Sequence, residues 1–147
     1  MTRIGGMMIN TQVDNDLTEK IIGAFFTVYN KLGFGYLEKV YENALKIELK
    51  KNGLSVDVQR PIKVFYDGII VGEYFADLFV EDKVLIELKT TSNITVKHES
   101  QLFHYLKATN TEIGLLFNFG PTASFKRKLW TPSYQYPCES VKSGESV

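Results

Sequence analysis

Between Tyr74 and Thr90 the chain reads YFADLFVEDKVLIELKT, two apolar runs separated by a charged turn, with Asp77, Glu87 and Lys89 set among residues suited to a core. Val84, Ile86 and Leu88 alternate with Leu85, Glu87 and Lys89, so a strand here carries Glu87 and Lys89 on one face and an unbroken aliphatic row on the other. Such a strand belongs inside a sheet covered on both sides. Ionised groups beside a core are costly unless paired or coordinated. Register decides whether Asp77 joins them. A three-residue loop, Glu81-Asp82-Lys83, brings Val80 opposite Val84 and Asp77 opposite Glu87. A two-residue loop puts the carboxylates on different faces. An odd-length loop is therefore expected, with two carboxylates converging from adjacent strands on a site for a hard cation, Mg²⁺ or Mn²⁺. The simpler reading is a structural Glu87–Lys89 pair, but such a pair has no need of Asp77.

Before this hairpin, apolar residues Leu17, Ile21, Ala24, Phe25, Val28 and Leu32 recur at three- and four-residue steps, predicting a helix capped at Asn15 or Asp16 and ended by Gly33. A second helix is expected from Glu38 to Lys51, with Val40, Tyr41, Ala44, Leu45 and Leu49 inward. Strands follow at 54–58 and 62–66, interrupted at Pro61, then 69–75 after an Asp67-Gly68 turn. After the central hairpin come a helix over 98–108, an apolar strand over 113–119 and a short strand over 125–130. The strand–helix–strand passage from Glu87 to Ile113 predicts a parallel pair. Residues 1–14 read as a flexible arm, 15–130 as one domain, and the polar stretch 131–147 as a disordered tail. The fold class is α/β, a mixed sheet flanked by helices.

Composition narrows the partners. Lys and Arg balance Asp and Glu at 17 each, which argues against a charge-driven nucleic-acid coat. From Lys89 to Trp130, however, six cations face two carboxylates. No apolar run approaches a membrane span and no secretory signal is evident. Cys138 stands alone in the polar tail, so a reducing, cytoplasmic setting is expected.

Two further stretches carry unusual residues. Gly33-Phe-Gly-Tyr-Leu-Glu38-Lys-Val-Tyr41 reads as a helix–turn–helix corner, with Glu38 at the positive end of the second helix. Gln101 and Tyr105 lie one turn apart on one helical face. In order, GxxExxY (Gly35, Glu38, Tyr41), ADLFVEDKVLIELKT, HESQLFHYLKAT and GLLFNFG resemble the GxxExxY protein family of the PD-(D/E)XK nuclease superfamily, and Gln101…Tyr105 resembles the QxxxY motif of its RecB-like branch. The resemblance spans about residues 16 to 130, with Ala76 where the superfamily has Pro. It implies a restriction-endonuclease-like fold and a Mg²⁺-dependent nuclease acting on DNA. Asp77, Glu87 and the Leu88 carbonyl would ligate the metal and Glu38 would act from its outer sphere. Lys89 would be catalytic with these acids, while Gln101, Tyr105 and Tyr41 would contact substrate. His98 and His104 stay outside this set. A homodimer presenting two sites is expected by analogy with small nucleases. The competing readings are a catalytically weak nucleic-acid-binding module on the same fold, and an acidic cluster holding a structural ion.

Overall fold

A computed structural model describes residues 2–4, 7–9 and 11–132, with side chains from residue 15 to 132. Cys138 and nearly all of the expected tail lie outside the described residues. Strands β1 (Thr2–Ile4) and β2 (Met7–Ile9) pair antiparallel, and helix α1 runs Thr11–Leu32. The helix thus begins before Asn15, where the apolar period, which starts only at Leu17, gives no sign of it. Then come α2 (Glu38–Lys51), β3 (Val56–Tyr66), β4 (Ile69–Val80), β5 (Val84–Lys89), α3 (Val96–Thr109), β6 (Ile113–Phe119) and β7 (Ala123–Leu129). The main sheet has the order β3-β4-β5-β6-β7, which puts β5 at its centre. β5 and β6 are parallel, joined through α3, and every other neighbouring pair is antiparallel.

Alternation along the strands creates two cores. Val84, Ile86 and Leu88 of β5 pack with Phe117 and Phe119 of β6 beneath Ile21, Phe25, Tyr41 and Leu45 of α1 and α2. Phe25 stacks on Phe117 with ring centroids 4.4 Å apart. The other face, with Leu85, Phe79 and Leu116, lies under Leu102, Tyr105 and Leu106 of α3. Each fully buried side chain of this size contributes about 1.5–3 kcal/mol. Glu87 and Lys89 share the Leu85 face by alternation and therefore fall on the α3 side.

Three sequence expectations shift. Pro61 does not split β3: it pairs with Phe75 on an edge strand, the place in a sheet where proline is tolerated. The strands expected on either side of Tyr74 are one strand, β4, because β3 supports its whole length. Val40 points outward, since the buried stripe of α2 centres on Tyr41, Leu45 and Leu49.

Beyond Lys89 the chain is fastened back to the sheet. Asn118, fully buried, accepts from the Thr91 N–H and donates to the Thr91 carbonyl, both at 2.9 Å. Gly120 permits this approach: a Cβ there would stand 2.0 Å from the Thr91 oxygen.

Candidate active site

The connection between β4 and β5 is the three-residue loop Glu81-Asp82-Lys83. Glu81 and Asp82 adopt left-handed backbone conformations, and the Lys83 N–H closes on the Val80 carbonyl at 2.9 Å. The Glu81 carboxylate accepts from the Ser55 N–H and hydroxyl, tying the loop to the start of β3. Pairing runs Val80↔Val84, Phe79↔Leu85 and Leu78↔Ile86, then stops. Carried one step further, this register sets Asp77 against Glu87, as the odd-length loop requires. Here the side chains replace the ladder. The Leu88 N–H donates to Asp77 Oδ2 at 2.8 Å, and the Asp77 N–H donates to Glu87 Oε1 at 3.3 Å. The two carboxylates thus occupy the opening between β4 and β5, each orienting the other through the backbone.

Glu87 is only 7% exposed. Burial, and next the Asp77 charge, push its pKa up from 4.5 to about 8. Burial also raises Asp77, with a further push from the Glu42 charge, against the Leu88 N–H that favours its ionised form. Glu38, at the first position of α2, is raised by partial burial and then by Asp77. One cation opposes all three: Lys89 lowers Glu38, Asp77 and Glu87 alike. Glu38 therefore lies within electrostatic reach of Asp77 and Lys89, reaching the open end of the ladder from the opposite helical layer.

Two neighbours escaped the sequence reading. Glu42 is nearly buried; it accepts from Lys39 at 2.8 Å and from Gln59 Nε2 at 3.1 Å. The same Gln59 nitrogen stands 3.5 Å from Asp77 Oδ1, bridging the two acids. Glu42 had a signal, being one helical turn from Glu38. Gln59 had none: it sits in β3 with φ 52°, a conformation that β-strand patterning does not announce and that marks local strain.

Tyr105 closes the site on the α3 side. It is largely buried, its ring lies 5.3 Å from that of Tyr74, and burial followed by the Glu87 charge raises its pKa to about 12, so its hydroxyl remains a neutral donor. Gln101, half-buried, lies one turn before it. Tyr41 does not fit a substrate contact. Its ring is fully buried and stacks on Phe119 at 4.3 Å; its hydroxyl donates to the Gly33 carbonyl and accepts from the Tyr36 N–H at 3.3 Å. It holds the turn before Glu38 instead. His98 likewise completes a capping box with Thr95 at the start of α3.

The donor set is all oxygen, which suits a hard divalent cation. Among the described residues Asp77 Oδ1 has only the long Gln59 contact, and the raised pKa values of Asp77 and Glu87, from burial and neighbouring carboxylates, are what a cation would relieve. Among the described residues no three His, Cys, Asp or Glu side chains form a ready-made metal cage. Two carboxylates with a carbonyl, the rest being left to water and substrate, is an ordinary arrangement for Mg²⁺.

A family model for the PD-(D/E)XK nuclease superfamily matches residues 15–128. No curated protein matches the chain. Among solved structures, the crystal structure of SSO0001 matches with 22% identity and a TM-score of 0.52, over 64% of this chain and 50% of that one. This chain thus spans half the length of SSO0001, and the likeness is one of fold. Archaeoglobus fulgidus Hjc, a Holliday junction resolvase from an archaeal hyperthermophile, matches with 18% identity and a TM-score of 0.38, over 61% of this chain and 73% of that one. The mixed five-stranded sheet with its flanking helices is of the restriction-endonuclease-like kind expected from the sequence.

Proposed function

The chain belongs to the PD-(D/E)XK nuclease superfamily, and on that footing we propose that it is a Mg²⁺- or Mn²⁺-dependent nuclease hydrolysing phosphodiester bonds of DNA. The observation that carries this reading is the pair of half-buried Asp77 and buried Glu87 in the opening between β4 and β5, with Lys89 beside it.

Asp77, Glu87 and the Leu88 carbonyl would hold the cation, with Glu38 acting through water. Bound there, the ion supplies Lewis acidity to a non-bridging phosphate oxygen and makes nearby water more acidic. The protein does the rest. The Leu88 N–H fixes the Asp77 carboxylate, so the ligand pair is oriented before substrate arrives. Lys89 ends β5 on the same face and is half-buried; its ammonium steadies the attacking water or the charge developing on the phosphate. Glu38 orients water from the head of α2. Tyr105, neutral far above physiological pH, donates to a phosphate oxygen, with Gln101 one turn away as a second polar contact.

The ordered motifs around Glu38–Tyr41 and Gln101…Tyr105 support placement in the GxxExxY family and its QxxxY branch, with residues 15–130 as the working domain. No helix among the described residues is long and apolar enough to cross a membrane. The expected setting is the cytoplasm, and a homodimer offers two sites to one substrate.

The test is cleavage of single- and double-stranded DNA and RNA by the purified chain with Mg²⁺, Mn²⁺ or EDTA. Cation-dependent cleavage that Asp77→Asn abolishes is the expected result. Binding without cleavage under every cation would instead favour the binding-module reading.

A further inference from the structure

We propose that the turn between α1 and α2, residues 33–37, is a stacking platform that admits an unpaired nucleotide to the carboxylate site; this rests on the nuclease reading above. Three large apolar side chains stand in solvent within this short turn: Phe34 is 57% exposed, Tyr36 51% and Leu37 80%. Clustered exposure of this kind marks a binding surface.

The turn is braced for display. Gly33 (φ 73°) and Gly35 (φ 122°) take conformations that side-chain-bearing residues rarely adopt. The buried Tyr41 hydroxyl bonds to both the Gly33 carbonyl and the Tyr36 N–H, and the Tyr36 ring sits edge-on to that of Tyr41 with centroids 6.1 Å apart. A full tyrosine side chain is thus spent on rigidity under rings that remain wet.

Contacts place the turn beside the acids. Tyr36 packs on Tyr41, Tyr41 stacks on Phe119 at the end of β6, and the residue before it, Asn118, pairs with Lys89 at the end of β5. Leu37 directly precedes Glu38. The exposed rings, Glu38 and Lys89 therefore share one rim of the sheet, at the carboxyl ends of its two parallel strands. Lys31, exposed just before the turn, suits a phosphate beside a stacked base, whereas Lys39 is held by Glu42 at 2.8 Å.

The occupant follows from geometry. An aromatic ring can stack only on a base face that is open, and inside a duplex both faces are covered. A balanced net charge also gives little of the electrostatic grip that tracking a long duplex requires. The ligand is therefore a base in a single strand, a gap or a frayed end, in DNA or RNA.

The experiment compares wild type, Phe34→Ala/Tyr36→Ala and Tyr36→Trp on a single-stranded oligonucleotide, the blunt duplex of the same sequence, and the single strand with abasic sites around the scissile bond. DNA and RNA versions of each are run. Stacking predicts that the double alanine variant loses at least about tenfold in kcat/KM on the intact single strand and nothing further on the abasic strand, which wild type itself cuts poorly. In Ca²⁺ the single strand, and not the duplex, quenches the fluorescence of Tyr36→Trp beyond any change that it causes in wild type, whose one tryptophan is Trp130. Equal loss on intact and abasic strands overturns the proposal, as does an unchanged double variant. A changed oligomeric state without base dependence also overturns it, since the turn would then be a contact between copies. The quenching readout needs no turnover. If wild type cuts nothing yet single strands quench Tyr36→Trp, the nuclease reading fails and the platform stands; absence of quenching removes the platform alone.

Discussion

Replacing Glu87 by Gln should stabilise the metal-free protein at neutral pH while destroying its response to cations. Folded Glu87 keeps its proton up to about pH 8, whereas the unfolded chain releases it near 4.5. The folded state therefore binds the proton more tightly. The stability this lends is complete below pH 4.5 and is lost as pH rises toward about 8. At 1.36 kcal/mol per pH unit, the loss reaches ~3 kcal/mol at pH 7 and ~5 kcal/mol above pH 8, both as ceilings. Asp77, also raised, adds in the same direction. The substituted amide would carry no charge, yet its carbonyl oxygen can still accept the Asp77 N–H. In EDTA at pH 7 the variant should melt higher by up to roughly 6–12 °C, at 2–4 °C per kcal/mol for a chain of this size. Wild-type stability should decline from pH 5 to pH 8.5 more steeply than that of the variant. Mg²⁺ should raise the melting temperature of wild type only. A Glu87→Gln variant that melts below wild type in EDTA at pH 8 would refute this reasoning, because the charge would then be stabilising where it stands.

Lys89→Ala should lower cleavage by ~10²-fold or more while changing stability by less than about 1 kcal/mol, since no ion pair within 4.0 Å anchors Lys89 among the described residues; a large drop in melting temperature would show it to be a structural partner of Glu87. Tyr41→Phe should cost about 1–3 kcal/mol through two unpaired turn groups, and should reduce activity by loosening Glu38, as paired melting and cleavage assays would show. Gly120→Ala should destabilise by about 3 kcal/mol in urea unfolding, because its Cβ meets the Thr91 carbonyl at 2.0 Å; a neutral result would mean that the loop after β5 is free to move away.

The hairpin was legible because period-two alternation and a charged turn leave one register that puts Asp77 beside Glu87, and the structure adopts it. The strand at 113–119 was equally plain, since a run buried on both faces carries no competing pattern. Pro61 misled because the sequence shows a missing donor but not that β3 lies at an edge. Tyr41 misled for a related reason. Its spacing from Glu38 is a fact of sequence, but whether its hydroxyl meets a ligand or the preceding turn depends on the fold. Gln59 was invisible, as its left-handed backbone and its bridge between Glu42 and Asp77 exist only once α2, β3 and β4 are assembled.

The claim on which the account turns is that Asp77 and Glu87 form a divalent-cation centre. Calorimetric titration of Mn²⁺ at pH 7, in two buffers of different ionisation enthalpy, tests it directly. Wild type should bind at one site with release of about one proton, because Glu87 is still protonated there and must ionise to ligate. Asp77→Asn should show no binding in the same range. Absence of binding to wild type, or binding to both proteins without proton release, would contradict the account.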